Sequence, residues 1–151
     1  MNSEALLSPW HDIEIESSVA GDSYVTGVTE ITLGTEKKLE VTKSLAFNPV
    51  MQDTVVNKIT KNRQHRVYSK PPKFGYGFIP QTWCDDDVGG DADAIDLVDL
   101  SLKQSKPVLA VADYLVLGIF GLVDQGELDY KVLGIEANEA NERCIKNLKD
   151  F

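Results

Sequence analysis

Three places in this chain set charged side chains two residues apart inside otherwise strand-like sequence: Lys38 with Glu40, Asp91 with Asp93, and Asp129 with Lys131. In an extended chain residues i and i+2 point to the same face, so each pair lies on one side while its apolar neighbours lie on the other. One such pair describes the wet face of an antiparallel sheet. Three pairs of mixed sign, with Asp96 and Asp124 at strand ends, call for a closed or strongly curved sheet whose mouth is lined with carboxylates and lysines. A mainly β (α+β) fold built on a small barrel of about five strands, with loops and short helices around it, meets that demand.

The middle pair belongs to a denser cluster, Gly89-Gly90-Asp91-Ala92-Asp93-Ala94-Ile95-Asp96, with carboxylates spaced D-x-D-x-x-D. Unpaired, these groups repel one another, and oxygen donors of this kind suit magnesium, manganese or calcium rather than zinc. The spacing predicts Asp91 and Asp93 on one strand face, with Asp96 around the next bend. A lone D-x-D is usually a solvated loop, but Ile95, Leu97, Val98 and Leu100 place this one at the edge of a core. A calcium EF-hand loop is excluded, because Ile95 and Asp96 stand where that loop needs an oxygen ligand and a glycine. An aspartyl-nucleophile phosphatase is excluded as well: Asp85-Asp86-Asp87-Val88-Gly89-Gly90 replaces the apolar strand that leads into its first Asp.

Charge is segregated along the chain. Lys58, Lys61, Arg63, Arg66, Lys70 and Lys73 follow one another with no acid among them, and from Phe74 to Leu102 there are seven aspartates and no base. The two blocks either solvate opposite faces or hold a polyanion between cations and metal-bearing carboxylates. The net charge of -9 argues against nucleic acid as a partner. Cys84 and Cys144 form no C-x-x-C pair, which fits a reducing compartment. No leader pattern and no apolar run of membrane-spanning length is present, so a cytoplasmic protein without a membrane partner is expected.

At 151 residues the length suits one domain, read as an arm over 1–22, a barrel over about 23–137 and a short amphipathic helix over about 138–151. Tyr24 to Ile31 and Lys38 to Val41 read as strands, Asn48-Pro49 opens a loop, and 58–81 reads as short strands and loops. Asp124-Gln125-Gly126-Glu127 predicts the turn of a hairpin between the apolar run 108–123 and 128–135. Ala140, Cys144, Leu148 and Phe151 recur at helical spacing.

Carboxylates able to hold several divalent ions, with lysines nearby, are the parts needed for phosphoryl transfer to water. No Ser, Cys or His stands in an activated setting, and no P-loop is present, so a small phosphate compound is the expected substrate.

The chain resembles the soluble family I inorganic pyrophosphatases of eukaryotic type. The resemblance runs through Pro9-Trp10-His11-Asp12-Ile13, Glu30-Ile31, Lys38-Leu39-Glu40, Asn48-Pro49-Val50-Met51-Gln52-Asp53 and Tyr76-Gly77-Phe78-Ile79-Pro80-Gln81-Thr82-Trp83. It continues through Gly90 to Asp96 and Asp124 to Lys131. It implies an OB-like five-stranded barrel, homodimers, and magnesium-dependent hydrolysis of pyrophosphate to two phosphates, with several Mg2+ ions and Mn2+ as an alternative. By resemblance, Asp91, Asp96 and Asp129 hold the tightest metals and Asp124 and Glu40 further ions. Asp93 is the general base. Lys38, Tyr76 and Lys131 contact phosphoryl oxygens, and Glu30 is an outer-shell residue.

The chain departs from the family pattern in three places. Where the family has a phosphate-binding arginine, counting forward from Asp53 lands on Thr60 and counting back from Tyr76 lands on Lys61, which leaves Arg63 or Arg66 as the substitute, with Arg63 assigned. Pro72 stands in place of a second tyrosine, leaving Tyr68 as a displaced candidate. The family's Tyr-Lys pair and a long helix fall beyond Phe151, so the alternative expectation is a truncated, catalytically weak or silent pyrophosphatase-like protein that binds metal and phosphate or serves as an interaction protein.

Overall fold

The structure, a computed structural model, describes residues 6–21, 23–102 and 105–151. Nine strands occur in it: β1 (Tyr24–Ile31), β2 (Leu39–Val41), β3 (Val50–Gln52), β4 (Thr54–Val56), β5 (Arg63–His65), β6 (Gly75–Phe78), β7 (Asp96–Asp99), β8 (Val111–Asp124) and β9 (Glu127–Glu136). One α-helix, α1 (Ala137–Glu142), and two single-turn 3-10 helices complete the described elements. Five strands close into a barrel in the order β1-β6-β7-β9-β8, with β8 returning to β1. This is the mainly β, OB-like architecture expected. Every neighbouring pair in it is antiparallel except β7 with β9. Outside the barrel, β2 pairs with β3 and β4 with β5.

The β8–β9 hairpin forms where the turn residues predict. Gln125 (φ 51°) and Gly126 (φ 99°) both take positive φ, the geometry whose twist matches that of the flanking strands. The buried residues form three clusters: Leu97, Tyr114 and Val132 with Ile79; Val28 and Phe78 with Trp10 and Val41 of the arm and β2; and Leu115 and Ile135 with Ala140 and Ile145 at the end of the chain. Gly77 brings β6 close against β1, since a Cβ there would lie 2.0 Å from the Val28 carbonyl oxygen. Of the arm read over 1–22, residues 1–5 and 22 lie outside the described residues; the described part contributes Trp10, 3% exposed, whose indole Nε1 donates to the Thr82 carbonyl (3.0 Å).

One end of the barrel is closed by a buried polar network. The Lys106 ammonium lies 2.9 Å from Asp99 Oδ2 and 3.0 Å from Glu136 Oε2, and the Tyr114 hydroxyl donates to the same Asp99 oxygen (3.2 Å). Burial pulls the Lys106 ammonium down, but its bonds to Asp99 and Glu136 outweigh that and hold it above its ordinary range.

Three expectations are corrected. Asp91 and Asp93 do not lie on a strand: Ala92 between them has φ 53°, which no extended chain adopts, and the segment is a loop leading into β7. The helix predicted over 138–151 ends at Glu142. Cys144 takes φ 56° and Ile145 N–H reaches back to the Ala140 carbonyl (2.8 Å), a Schellman-type stop. The face that packs is therefore Ala140 with Ile145, while Cys144, Leu148 and Phe151 are exposed. The loop expected from Asn48 contains β3, which pairs back to β2, and β4, which forms a hairpin with β5.

Candidate active site

An open cavity of about 580 Å³ gathers residues from almost every predicted stretch. β1 supplies Glu30, β6 Tyr76, β7 Asp96 and β9 both Asp129 and Lys131. Lys38 and Glu40 enter from β2 and the residues before it, Asp124 from the end of β8, and Asp91 and Asp93 from the loop before β7.

That loop is held by its backbone. Ala92 N–H donates to the Cys84 carbonyl (2.9 Å), Cys84 N–H to the Asp93 carbonyl (2.7 Å), and Leu128 N–H to the Gly89 carbonyl (2.7 Å). The last bond pins the loop beside Asp129. At Gly90 a Cβ would fall 2.7 Å from the Cys84 and Asp85 backbone, so only glycine fits this crossing. Lys43 donates to the Ala92 carbonyl (2.6 Å) and sits 3.3 Å from Asp93 Oδ2.

The cations are interleaved with the carboxylates. Lys131 Nζ bridges Asp96 and Asp129, lying 2.9 Å from Asp129 Oδ2, and Lys38 pairs with Glu40. Burial would lower the Lys131 ammonium, but its hydrogen bonds to Asp96 and Asp129 carry it above its ordinary value. Burial, reinforced by Asp96 and Asp129, raises the Tyr76 phenol, which keeps its hydroxyl proton. Glu30 is buried, accepts from Val41 N–H in the strand that bears Glu40, and is pushed up to about 8, first by burial and then by the nearby carboxylates.

A pH effect follows from Glu30. Its raised folded-state value gives a contribution that is intact below the unfolded value of 4.5 and is lost as pH rises toward 8. With divalent ions chelated, Glu30→Gln should abolish a fall of about 2 kcal/mol in unfolding free energy between pH 5 and 7. Urea denaturation at the two pH values checks it; identical pH slopes for variant and wild type would refute it.

The predicted Arg63 is not in the cavity. It is exposed and donates to Thr54 Oγ1 (3.1 Å), whereas Arg66 lines the cavity and donates to Asp53 Oδ2 (2.7 Å). Arg66 stands 13 residues after Asp53 with the β4–β5 hairpin between them, so the forward count to Thr60 stops short of it and the backward count from Tyr76 to Lys61 runs past it. Asp53, quoted in the sequence only as part of a motif, ties the cationic side together. Its N–H donates to the Lys38 carbonyl (2.9 Å) and its carbonyl accepts from Arg66 N–H (2.8 Å). Tyr68 also lines the cavity. Nothing in its local sequence marks Lys43 as part of the site.

The donor set is all oxygen, and Asp91 Oδ1 is buried with no partner, which fits a hard cation. Among the described residues no three acidic, His or Cys side chains converge on one point; the carboxylates ring the cavity, with Lys131 between two of them.

The chain matches the family model described as inorganic pyrophosphatase over residues 27–151. An inorganic pyrophosphatase of Schizosaccharomyces pombe is 32% identical over 95% of this chain and 51% of its own length. The crystal structure of the type I inorganic pyrophosphatase of Toxoplasma gondii is similar at TM-score 0.80 and 32% identity, over 95% of this chain and 64% of that one. An N-terminally truncated vacuolar soluble pyrophosphatase of Trypanosoma cruzi, solved in complex with PPi, is similar at TM-score 0.81 and 31% identity, over 95% and 58%. The chain spans about half the length of relatives such as that of S. pombe. With the barrel, the ring of carboxylates and these likenesses in agreement, the chain belongs to the inorganic pyrophosphatase family.

Proposed function

We propose that this chain hydrolyses inorganic pyrophosphate to two phosphates with magnesium as cofactor. The observation that carries the reading is one cavity in which Glu40, Asp91, Asp93, Asp96, Asp124 and Asp129 face Lys38, Arg66, Tyr76 and Lys131. Asp91, Asp96 and Asp129, with Asp124 and Glu40, would hold the magnesium ions. When bound, these ions make water more acidic and neutralise phosphate oxygens.

The rest of the assignment concerns the chain's own groups. Lys38, Arg66 and Lys131 bind and orient the substrate's phosphoryl oxygens, and the Tyr76 hydroxyl donates to one of them. Asp93 takes a proton from the attacking water. The water oxygen bonds to one phosphorus, the bridging P–O bond breaks, and its electron pair leaves with the second phosphate. Arg66 takes the role first given to Arg63. Glu30 acts from behind, by holding the strand that presents Glu40. A cytoplasmic homodimer goes with this reading, supported by exposed Ile119, Phe120 and Val123 on the β8–β9 ribbon.

The test is phosphate release from pyrophosphate with and without magnesium, run beside thermal unfolding. Saturating magnesium should raise stability by about 2–3 kcal/mol at a hundredfold excess over Kd, and chelation should remove both the gain and the turnover. An unchanged melting temperature sinks the metal assignment, and magnesium binding without phosphate release sinks the hydrolytic one.

A further inference from the structure

The basic block of the sequence is mostly not absorbed by the cavity. Of Lys58, Lys61, Arg63, Arg66, Lys70 and Lys73, only Arg66 lines it. The others leave an exposed hairpin unexplained. β4 and β5 pair only with each other, and residues 58–67 are all exposed, so the hairpin projects from the barrel. Among the described residues Lys58 and Lys61 enter no ion pair, and Arg63 bonds only the neutral Thr54 hydroxyl.

The tip carries Ile59, 91% exposed, more than any other large apolar residue among those described. It is not a frayed end. Asn57 Oδ1 accepts from Ile59 N–H (2.9 Å) and Thr60 N–H (3.0 Å), while Lys61 N–H donates to the Asn57 carbonyl (2.8 Å). The turn thus holds an isoleucine in water between two lysines, and Val55 and Val56 of β4 are also exposed, one on each face of the hairpin. Burying that surface is favourable only against something apolar.

We propose that this hairpin docks the protein on an anionic lipid surface, with Ile59 entering the headgroup layer and Lys58, Lys61 and Arg63 pairing with lipid phosphate or carboxylate. Charge complementarity carries the choice: no acid occurs from Thr54 to Cys84 in a chain of net charge -9. The acid that flanks the hairpin, Asp53, is paired with Arg66 at its base, so the tip with Lys58 and Lys61 meets the surface with a local positive field. Nucleic acid or soluble polyphosphate would use the lysines but gain nothing from an exposed isoleucine. The contact is peripheral, since no helix among the described residues is long and apolar enough to cross a membrane. It revises the expectation of no membrane partner and is independent of the hydrolytic reading.

Flotation of the full chain with phosphatidylcholine vesicles, with or without about one third phosphatidylserine, tests it. Wild type should float with the anionic vesicles only and be released by high salt. Ile59→Ser and the double variant Lys58→Gln/Lys61→Gln should each lower partitioning by ~10-fold or more with unchanged circular dichroism. No binding to the anionic vesicles, equal binding to neutral ones, or binding indifferent to either variant overturns the proposal. So does tight retention on soluble polyphosphate that Ile59→Ser leaves intact while vesicles fail to bind.

Discussion

Replacing Asp93 by Asn should lower pyrophosphate turnover by ~10²–10⁴-fold, the usual cost of losing a general base, while leaving magnesium affinity and fold nearly unchanged. The two halves have different physical origins. Asn keeps the size of the side chain and can still accept the Ala94 N–H that Asp93 Oδ1 receives (2.9 Å), so the loop keeps its shape. Its backbone bonds to Cys84 do not involve the side chain. The ion pair with Lys43 is lost, but its side chains are 46% and 39% exposed, and such pairs contribute less than about 1 kcal/mol. Only the capacity to take a proton disappears. Asp91→Asn should behave differently: it alters a buried oxygen with no other partner and should weaken metal binding and turnover together. Steady-state kinetics with magnesium titration calorimetry on both variants separates the roles. Near-normal turnover of Asp93→Asn beside an active wild type would remove Asp93 from the mechanism.

Lys106→Met should cost about 3–5 kcal/mol of stability, the range seen when one partner of a buried ion pair is removed. Methionine fills the space of the lysine stem, so the loss isolates the charge. The lysine side chain is 9% exposed, and the carboxylates it faces, Asp99 and Glu136, are 11% and 21% exposed. Asp99 would keep Ser101 N–H (2.9 Å) and the Tyr114 hydroxyl, neither of which carries charge. Two carboxylates would then share a poorly hydrated site without a cation. Urea unfolding should show a lower midpoint at unchanged slope. A loss below about 1 kcal/mol would mean that the network is better hydrated than its burial implies.

Much of this molecule follows from local pattern. Alternation with period two assigns each side chain to a face, so β1, the β8–β9 hairpin and the shared face of Asp129 and Lys131 are legible in one stretch of sequence at a time. Two turn residues able to take positive φ set the hairpin register. The carboxylates of the cavity were recognisable too, because that density of negative charge has few uses away from cations.

Tertiary structure decided what depends on partners remote in sequence. Asp91 and Asp93 share the cavity through a left-handed Ala92 and hydrogen bonds to Cys84, not through a strand, and no alternation rule encodes that route. Arg66 rather than Arg63 reaches the site because the self-paired β4–β5 hairpin returns the chain to Asp53, which grips the arginine across 13 residues. The final helix stops at a left-handed Cys144 because Ile145 packs with Ala140 against the barrel, and helical spacing cannot foresee that stop. Lys106 is a buried counter-ion only because β7 and the end of β9 bring Asp99 and Glu136 to it. Sequence alone set the faces and the chemical inventory, since both are properties of single residues and their near neighbours. Which groups meet depended on pairing between distant strands, where the free energy lies in contacts that local sequence does not contain.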